Sequence, residues 1–437
     1  MTQLQINLPG NQQKQTPKKA LLVNTYQNHK DKQESQDFLD ELERLVETYG
    51  LQIVGKVACH IREYSSSTLL SKGKLEETIS LAKELQADVV IFDDEVIPSQ
   101  QRNLEKAFGI PVIDRTEVIL AVFAQRAQTK EARLQIELAQ VQYQFPRLKR
   151  LWTHLSRQSS GGSGGGFVKG EGEKQMEIDR RLLKKQVDSL RQELAIVRKN
   201  RSIQRSARNK TGIPIFAIVG YTNAGKSTLM QALTKADVLV EDKLFATLDT
   251  TTRKFSLPNN QDILLIDTVG FIRKLPHTLV EAFKSTLEES AYADILLHLI
   301  DASHPHAEKQ AEATFEVLKQ LKADKKPIIT VLNKVDKVLD RGIIDRLRFR
   351  YPHTVQISAT TEQGFEELMN LMIEMIKARR IDMRLCIPQK DYNKVSDILH
   401  QGQILQTEYE DNNIFLHVDI PIALANQLAH YQQKPVA

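Results

Sequence analysis

The sequence has very few cysteines and few aromatic residues. Of its 437 residues, 2 are cysteine and 1 is tryptophan, and aromatic side chains make up 6%. Cys59 and Cys386 lie 327 positions apart, which excludes a disulfide framework and a zinc site of the usual ligand spacing. We expect both thiols to be reduced and buried.

Long hydrophobic runs are also missing. The apolar runs, such as residues 295–300, fall far short of the ~20 residues that span a bilayer. Residues 1–19 are rich in Gln, Asn and Lys and lack the apolar stretch of a secretory signal, which predicts a disordered leader. We therefore expect a cytoplasmic protein without stable membrane insertion, and peripheral association with membranes stays open.

The charge is unevenly distributed along the chain. The net charge is only +5, and the 41% hydrophobic and 26% charged residues are typical of a soluble globular protein. Between Arg126 and Lys210, however, 20 basic residues face 8 acidic ones, a net charge of +12, and the rest of the chain carries −7. One segment therefore holds the whole basic excess.

Length and hydrophobic periodicity predict several domains. A chain of 437 residues exceeds the roughly 250–300 residues that one hydrophobic core supports. Strand and helix patterns alternate at the start of the chain, helical periodicity follows, and a second alternating region comes next. The predicted parts are a disordered leader (1–19), an N-terminal α/β domain (20–124), a basic helical hairpin (125–210), a second α/β domain with a mainly parallel sheet (211–380) and a small C-terminal α+β domain (381–437).

The basic segment is predicted to form a helical hairpin with a glycine-rich tip. Residues 125–154 and 173–208 have helical periodicity, and seven glycines lie between Gly161 and Gly172. A net charge of +12 on an elongated element is typical of a polyanion-binding surface, with cations such as Arg147 before the tip and Lys184 after it. An amphipathic helix pair with a slack linker remains the alternative.

Three adjacent acids, Asp93, Asp94 and Glu95, follow the predicted strand 87–92. Consecutive side chains on a strand point in alternating directions and cannot converge on one ion. We expect solvated carboxylates at this strand end and no metal site.

A phosphate-binding loop follows the predicted strand 213–220. Its G-x-x-x-x-G-K-S pattern lies between that strand and a helix. We expect Lys226 to reach the β- and γ-phosphate oxygens as a catalytic group, and the Ser227 hydroxyl to bind Mg²⁺. The loop consists of Gly220, Tyr221, Thr222, Asn223, Ala224, Gly225, Lys226 and Ser227.

A second apolar strand ends in the sequence Asp267, Thr268, Val269 and Gly270. The Asp267 carboxylate is predicted to hold the Mg²⁺ shell, and the Gly270 amide to meet the γ-phosphate. Hydrolysis would release that contact.

Base recognition is predicted from two further strand ends. The first gives the N-K-x-D pattern, in which a carboxylate accepts hydrogen bonds from guanine N1–H and the 2-amino group. Adenine lacks both donors and would leave the carboxylate unpaired, so we expect GTP and GDP as ligands. The residues are Asn333, Lys334, Val335, Asp336, Ser358, Ala359 and Thr360.

A threonine-rich segment, 245–253, lies between the first two motifs, where a mobile switch loop should supply a hydroxyl to Mg²⁺. Residue chemistry alone leaves Thr247, Thr250, Thr251 and Thr252 open.

Together these motifs resemble the HflX family of translational GTPases. The match includes GYTNAGKS, FATLD with its Thr-rich continuation, DTVGFIRKLPH, NKVD and SAT, over about residues 20–437. The resemblance implies a P-loop GTPase domain, and Thr247 as the switch Mg²⁺ ligand beside Ser227. It also implies that the nucleotide is lined by Phe245, Ala246, Thr247, Leu248 and Asp249.

The family resemblance also implies partners. It predicts a monomer that binds the 50S ribosomal subunit and its rRNA near the peptidyl-transferase region, with roles in ribosome splitting or rescue, protein synthesis or ribosome biogenesis. The tip departs from the family pattern, because Glu171 stands where proline is expected and Lys174 where threonine is expected.

The hydrolysis mechanism is less specified by the sequence. Phe271 stands where many small GTPases place a water-orienting glutamine, which predicts slow intrinsic hydrolysis. Asn223 resembles an asparagine that holds K⁺ in some GTPases, and a residue bonded to its own backbone is the alternative. The rival functions are a GTP-dependent regulator of a protein partner, at the membrane, and an RNA-modification or helicase-like factor.

Overall fold

A computed structural model describes residues 17–147, 169–209, 213–235, 244–245, 247–274, 289–338, 340–410 and 412–433. The chain divides into two compact units. The first comprises Met1–Ala195, Glu241–Leu248 and Lys274–Phe283, and the second comprises Ile196–Val240, Asp249–Arg273 and Lys284–Ala437.

The first unit begins with a four-stranded parallel sheet in the order β2-β1-β3-β4. Every residue of β3 is buried, as expected for an inner strand of a parallel sheet covered on both faces. The elements are β1 (Lys19–Tyr26), α1 (Lys32–Tyr49), β2 (Gln52–His60), α2 (Lys72–Glu84), β3 (Val89–Phe92), α3 (Pro98–Phe108), β4 (Val112–Asp114) and α4 (Arg115–Arg126).

Two further helices, α5 (Lys130–Gln144) and α6 (Lys169–Asn209), form the described part of the basic segment. The predicted continuous helix from residue 125 is wrong at 127–129, where α4 has ended and the Thr129 hydroxyl caps α5 by accepting from the Ala132 amide at 3.2 Å. The 41 residues of α6 correspond to about 60 Å of helix. Residues 148–168, which include most of the predicted glycine-rich tip, lie outside the described residues. The predicted start of the second helix at residue 173 is wrong, because α6 begins at Lys169, and Glu171 and Lys174 therefore lie on this helix.

Arg147, at the end of the short 3₁₀ helix that follows α5, is buried in the first unit. Its guanidinium donates to the Val96 carbonyl at 2.7 Å and to the Gln101 side chain at 3.1 Å, and it lies 3.4 Å from the Asp114 carboxylate. The Tyr143 hydroxyl also donates to Asp114, at 2.9 Å. The expectation that Arg147 is a phosphate-binding surface cation is therefore wrong, because its donors are used inside the protein.

The second unit contains a six-stranded sheet in the order β10-β9-β8-β5-β7-β6, parallel except for the edge strand β6. The five parallel strands carry apolar side chains that pack under helices on both faces of the sheet, as in nucleotide-binding α/β folds. The elements are β5 (Ile215–Gly220), α7 (Lys226–Thr234), β6 (Thr251–Ser256), β7 (Asp262–Asp267), β8 (Ile295–Asp301), α8 (Ala307–Gln320), β9 (Ile328–Asn333), α9 (Arg341–Arg350), β10 (Thr354–Gln356) and α10 (Phe365–Lys377).

The C-terminal part is a small α+β structure with its own core. Its antiparallel sheet has the order β11-β13-β12, and alternate residues of β13 are buried, as expected for a sheet with one solvated face. Cys386 on β11 is only half-buried, so the prediction of two buried thiols holds for Cys59 alone. The elements are β11 (Arg380–Pro388), α11 (Tyr392–Gln401), β12 (Gln403–Glu410), β13 (Asn413–Pro421) and α12 (Ile422–Gln427). The multidomain α/β fold class is confirmed.

Candidate nucleotide-binding site

The phosphate-binding loop leaves the carboxyl end of β5 and enters α7. Asn223 and Gly225 both have positive φ, 60° and 95°, which bends the loop back on itself. A side chain at Gly225 would place its Cβ 2.3 Å from the Asn333 amide nitrogen, so only glycine fits this turn. The loop therefore packs directly against the strand end that carries the predicted base-recognition motif.

Lys226, the first residue of α7, is buried inside the loop that it follows. Its ammonium donates to the Tyr221 carbonyl at 2.8 Å and lies 3.3 Å from the Gly220 carbonyl. Burial lowers the pKa of Lys226 to about 8, against the opposing attraction of the Asp267 carboxylate. The lysine is thus a cation held in a place where it is poorly solvated, and an anionic ligand would stabilise it.

Asp267 ends β7 beside the start of α7. Its Oδ2 accepts a hydrogen bond from the Ser227 hydroxyl at 2.7 Å. Hydroxyl and carboxylate oxygens are the donors that Mg²⁺ prefers, so these residues fit that ion. Among the described residues no group of three or more His, Cys, Asp or Glu gathers around one point.

The segment after Asp267 runs along the phosphate-binding loop. Phe271 donates through its amide to the Gly220 carbonyl at 3.0 Å, and accepts at its own carbonyl from the Thr222 amide at 2.7 Å. A Cβ at Gly270 would lie 2.9 Å from the Thr222 Cα and 2.8 Å from the Thr222 methyl group. The close approach requires glycine at this position. The Phe271 ring is buried, so no polar group occupies the position of a water-orienting glutamine.

Asn333, at the end of β9, joins two loops through one side chain. Its amide nitrogen donates to the Ala224 carbonyl at 2.8 Å, and its amide oxygen accepts from the Ala359 backbone amide at 3.0 Å. The side chain is buried. The phosphate-binding loop and the segment 358–360 are thereby tied to one strand end.

Lys334 also connects the end of β9 to the phosphate-binding loop. Its ammonium donates to the Asn223 carbonyl at 2.9 Å and pairs with the Asp301 carboxylate at 2.7 Å. Asp336 follows on a short 3₁₀ turn, Val335–Lys337, and its side chain is exposed. The Ser358 hydroxyl lies 3.1 Å from the Thr360 hydroxyl. The Asp336 carboxylate is therefore accessible beside the phosphate-binding loop, whose backbone is held by the Asn333 and Lys334 side chains.

Sequence reasoning missed one residue and one contact of this site. Asp301 ends the apolar strand β8 and could have been suspected for that reason, since strand-end carboxylates lie at the ligand-binding edge of a parallel sheet. The Tyr221 hydroxyl accepts from the Arg273 amide at 2.8 Å, a contact that no sequence pattern indicates.

The predicted switch residues are divided between the units. Phe245, Thr247 and Leu248 belong to the first unit and Asp249 to the second, and Ala246 lies outside the described residues. The Phe245 ring packs edge-on against Phe123, with 4.5 Å between ring centroids. Contact of Phe245, Thr247, Leu248 and Asp249 with the nucleotide, and of Thr247 with Mg²⁺, stays a prediction.

Lys274, also in the first unit, pairs with two carboxylates at the end of β3. Its ammonium lies 2.7 Å from Asp94 and 3.1 Å from Asp93. Asp93 is buried and also pairs with Arg115 at 2.8 Å. The expectation of solvated carboxylates is therefore wrong for Asp93, because two cations from distant parts of the sequence surround it.

Comparison with known proteins agrees with these motifs. Three protein-family models match the chain. The family described as "GTP-binding GTPase N-terminal" matches residues 36–124, and the family described as "GTP-binding GTPase Middle Region" matches residues 126–208. The family described as "50S ribosome-binding GTPase" matches residues 215–334. A GTP-binding protein from the archaeon Sulfolobus solfataricus, solved with GDP, is 25% identical over 82% of this chain and 98% of its own, with a TM-score of 0.44.

The curated relatives are much more similar. GTPase HflX from Chlamydia pneumoniae is 48% identical over 93% of this chain and 86% of its own length. GTPase HflX from Escherichia coli is 39% identical over 92% of this chain and 93% of its own length. With identity of this order over nearly the whole chain, the protein belongs to the HflX family of GTPases.

Proposed function

We propose that this GTPase binds the large ribosomal subunit in the cytoplasm, in its GTP-bound form, through rRNA contacts of the basic helices α5 and α6. The observation that carries the proposal is the net charge of +12 between residues 126 and 210. Exposed cations such as Arg181 and Lys185 stand along α6, where they suit phosphate contacts that need no base readout. The family model described as "50S ribosome-binding GTPase" supports the same partner. Splitting or rescue of stalled ribosomes is the role that we assign.

Lys226 is proposed to be the residue that GTP binding moves. Its ammonium would leave the Tyr221 carbonyl for the β- and γ-phosphate oxygens, where opposite charge compensates its burial. Mg²⁺, when bound, would neutralise charge that develops on the phosphates. Ser227 and Asp267 would hold the ion, with Thr247 as the switch ligand.

Asp336 is proposed to select guanine. Its exposed carboxylate can accept from N1–H and the 2-amino group, while a backbone amide of the segment 358–360 would meet O6. Asn333 and Lys334 would act as positioning residues, because their side chains are bonded to the protein itself.

Hydrolysis on the free protein is proposed to be slow. The buried Phe271 ring cannot orient a water molecule, so the remaining groups are the Gly270 amide, Lys226 and Asn223, the last with a K⁺ ion. Ordering of the switch segments on the ribosome would then accelerate the reaction.

The test is sedimentation with purified 50S subunits. Protein with a non-hydrolysable GTP analogue should pellet with the subunits, and protein with GDP should stay in the supernatant. Charge reversal of Arg181 and Lys185 to Glu should abolish pelleting, whereas the control Lys325→Glu, an exposed lysine of the second unit, should not. Equal pelleting with GDP and with the analogue would refute the switch.

Flotation with anionic vesicles tests the alternative of a membrane-bound regulator. Among the described residues, no helix is long and apolar enough to cross a membrane. Binding to vesicles without binding to subunits would replace the ribosomal proposal.

A further inference from the structure

A groove of about 600 Å³ runs between α5 and α6 in the first unit. Its volume is in the range of ~300–1,000 Å³ that is usual for small-ligand sites. We call it the shaft groove. Its walls carry four cations and two apolar groups, which are Phe145, Arg180, Arg181, Lys184, Val187 and Arg191.

The orientation of α6 about its own axis explains why these side chains lie on one face of the helix. Leu183, Leu190 and Leu194 are buried, and their spacings of seven and four place them on one stripe of the helix. Gln186 reinforces this orientation by donating to Glu137 of α5 at 2.9 Å. The cations lie at spacings of three, four and seven beside that stripe, so they line the edge of the helix pair.

The shaft groove combines positively charged side chains with one aromatic ring, that of Phe145. The Arg180 guanidinium lies 5.6 Å from the centre of the Phe145 ring, within cation–π range. Arg180 and Arg191 are separated by eleven residues, or about 16 Å along the helix. Glu177 is the one acid in the wall, which leaves the groove with a net charge of +3.

We propose that the shaft groove binds an unpaired nucleotide of RNA, with the base against Phe145 and Arg180 and the flanking phosphates on Arg181, Lys184 and Arg191. Aromatic rings and arginine planes stack on unstacked bases, and this recognition tolerates any base. A paired helix could use the cations but offers no base to the ring. The inference rests on the proposed RNA-binding function and specifies that the shaft of the helix pair recognises unpaired RNA.

The experiment uses the full chain with a non-hydrolysable GTP analogue and three short RNA stem-loops. One has a single bulged 2-aminopurine nucleotide, one has an abasic bulge, and one is fully paired. We expect the bulged RNA to bind about tenfold more tightly than the abasic RNA, with a change in 2-aminopurine fluorescence.

Two variants separate the ring from the charge. Phe145→Leu keeps apolar volume, and it should remove the preference for the bulged base while leaving affinity for the paired RNA unchanged. Arg180→Leu, which leaves the ring in place, tests the same preference if Phe145→Leu does not fold. The matched control is Lys185→Gln, an exposed cation on the same helix outside the groove. It should reduce the salt slope of binding by about 1 and keep the preference.

Several outcomes would overturn the proposal. Equal affinity for bulged and abasic RNA would do so, as would a bulge preference that survives both Phe145→Leu and Arg180→Leu. An acidic peptide that binds the groove more tightly than RNA and is insensitive to Phe145→Leu would assign it to a protein partner. Bulge-specific binding by a protein that fails to sediment with 50S subunits would refute the ribosomal proposal alone.

Discussion

The two mainly parallel sheets of this protein differ in the environment of the charged side chains at the carboxyl ends of their strands. In the first unit, Asp93 and Asp114 are buried and each lies beside an arginine of the same unit. In the second unit, the corresponding edge surrounds a loop of backbone amides and a buried lysine whose pKa is lowered to about 8. Similar topology therefore gives two different edges. In the first unit, which has the compensated edge, the acids are paired with cations of the protein. In the second unit, which has the ligand-binding edge, the buried lysine would be stabilised by an anionic ligand.

This contrast indicates which strand-end acids are candidates for function. A carboxylate that faces a buried arginine stabilises the fold only while both partners are present. A cation that burial disfavours contributes to binding when an anion arrives. Substitutions at the two edges should therefore have opposite effects on stability.

The largest effect is expected at the compensated edge. Arg147→Met should lower the free energy of unfolding by roughly 3–5 kcal/mol, because it leaves the Asp114 carboxylate buried without its cation. Burial already raises the pKa of Asp114. Urea denaturation at pH 7 measures the change.

A matched control is available at the surface. Lys56 pairs with Asp40 at 2.7 Å and with Glu43 at 2.8 Å, and it is partly exposed. Lys56→Met should cost less than about 1 kcal/mol. Similar losses for Arg147→Met and Lys56→Met would show that the buried pair at the compensated edge stabilises the fold no more than a surface ion pair.

The ligand-binding edge should respond in the other direction. Lys226→Met should reduce kcat for GTP hydrolysis by roughly 10²–10³, the usual range for loss of one group that stabilises transition-state charge. The same change should raise the thermal midpoint of the nucleotide-free protein, since it removes a poorly solvated cation. Calorimetry without nucleotide and a phosphate-release assay measure both quantities. Loss of stability together with activity would show that Lys226 is structural.

The smallest effect concerns a buried group at neither edge. Neither ring nitrogen of His298 has a hydrogen-bond partner among the described residues, and its ring packs edge-on against Phe315 with 4.9 Å between centroids. Burial lowers the pKa of His298 to about 3. Because its pKa in the unfolded chain is near 6.5, the unfolded state gains the proton first, and stability is lost as the pH falls below about 6.5.

The expected loss through His298 is roughly 1 kcal/mol at pH 5.5 relative to pH 7.5. His298→Leu should flatten this part of the pH profile, measured by urea denaturation at both pH values. An unchanged profile in His298→Leu would assign the acid sensitivity to other groups.

The sequence predicted best where several constraints agree. The loop from Gly220 to Ser227 follows a fully apolar strand and begins a helix, so local pattern and topology point to the same element. The order of the strand ends then predicted the parallel sheet. Asp93 and Arg147 were misjudged because their partners, Arg115 and Asp114, lie 22 and 33 residues away, and no periodic pattern reports side-chain pairing between separate elements. The break at 127–129 was missed because Thr129 can cap a helix or continue one.

The Asn333 side chain, bonded to both Ala224 and Ala359, has a consequence for the entropy of nucleotide binding. Loops that are already immobilised by one buried amide lose little conformational freedom when the ligand arrives, so more of the contact energy remains as affinity. The groups at the two ends of the nucleotide are also coupled through that amide. Truncating Asn333 should therefore weaken binding of the phosphates as well as of the base. The losses of affinity from separate substitutions in the phosphate-binding loop and in the base-recognition segment should not add.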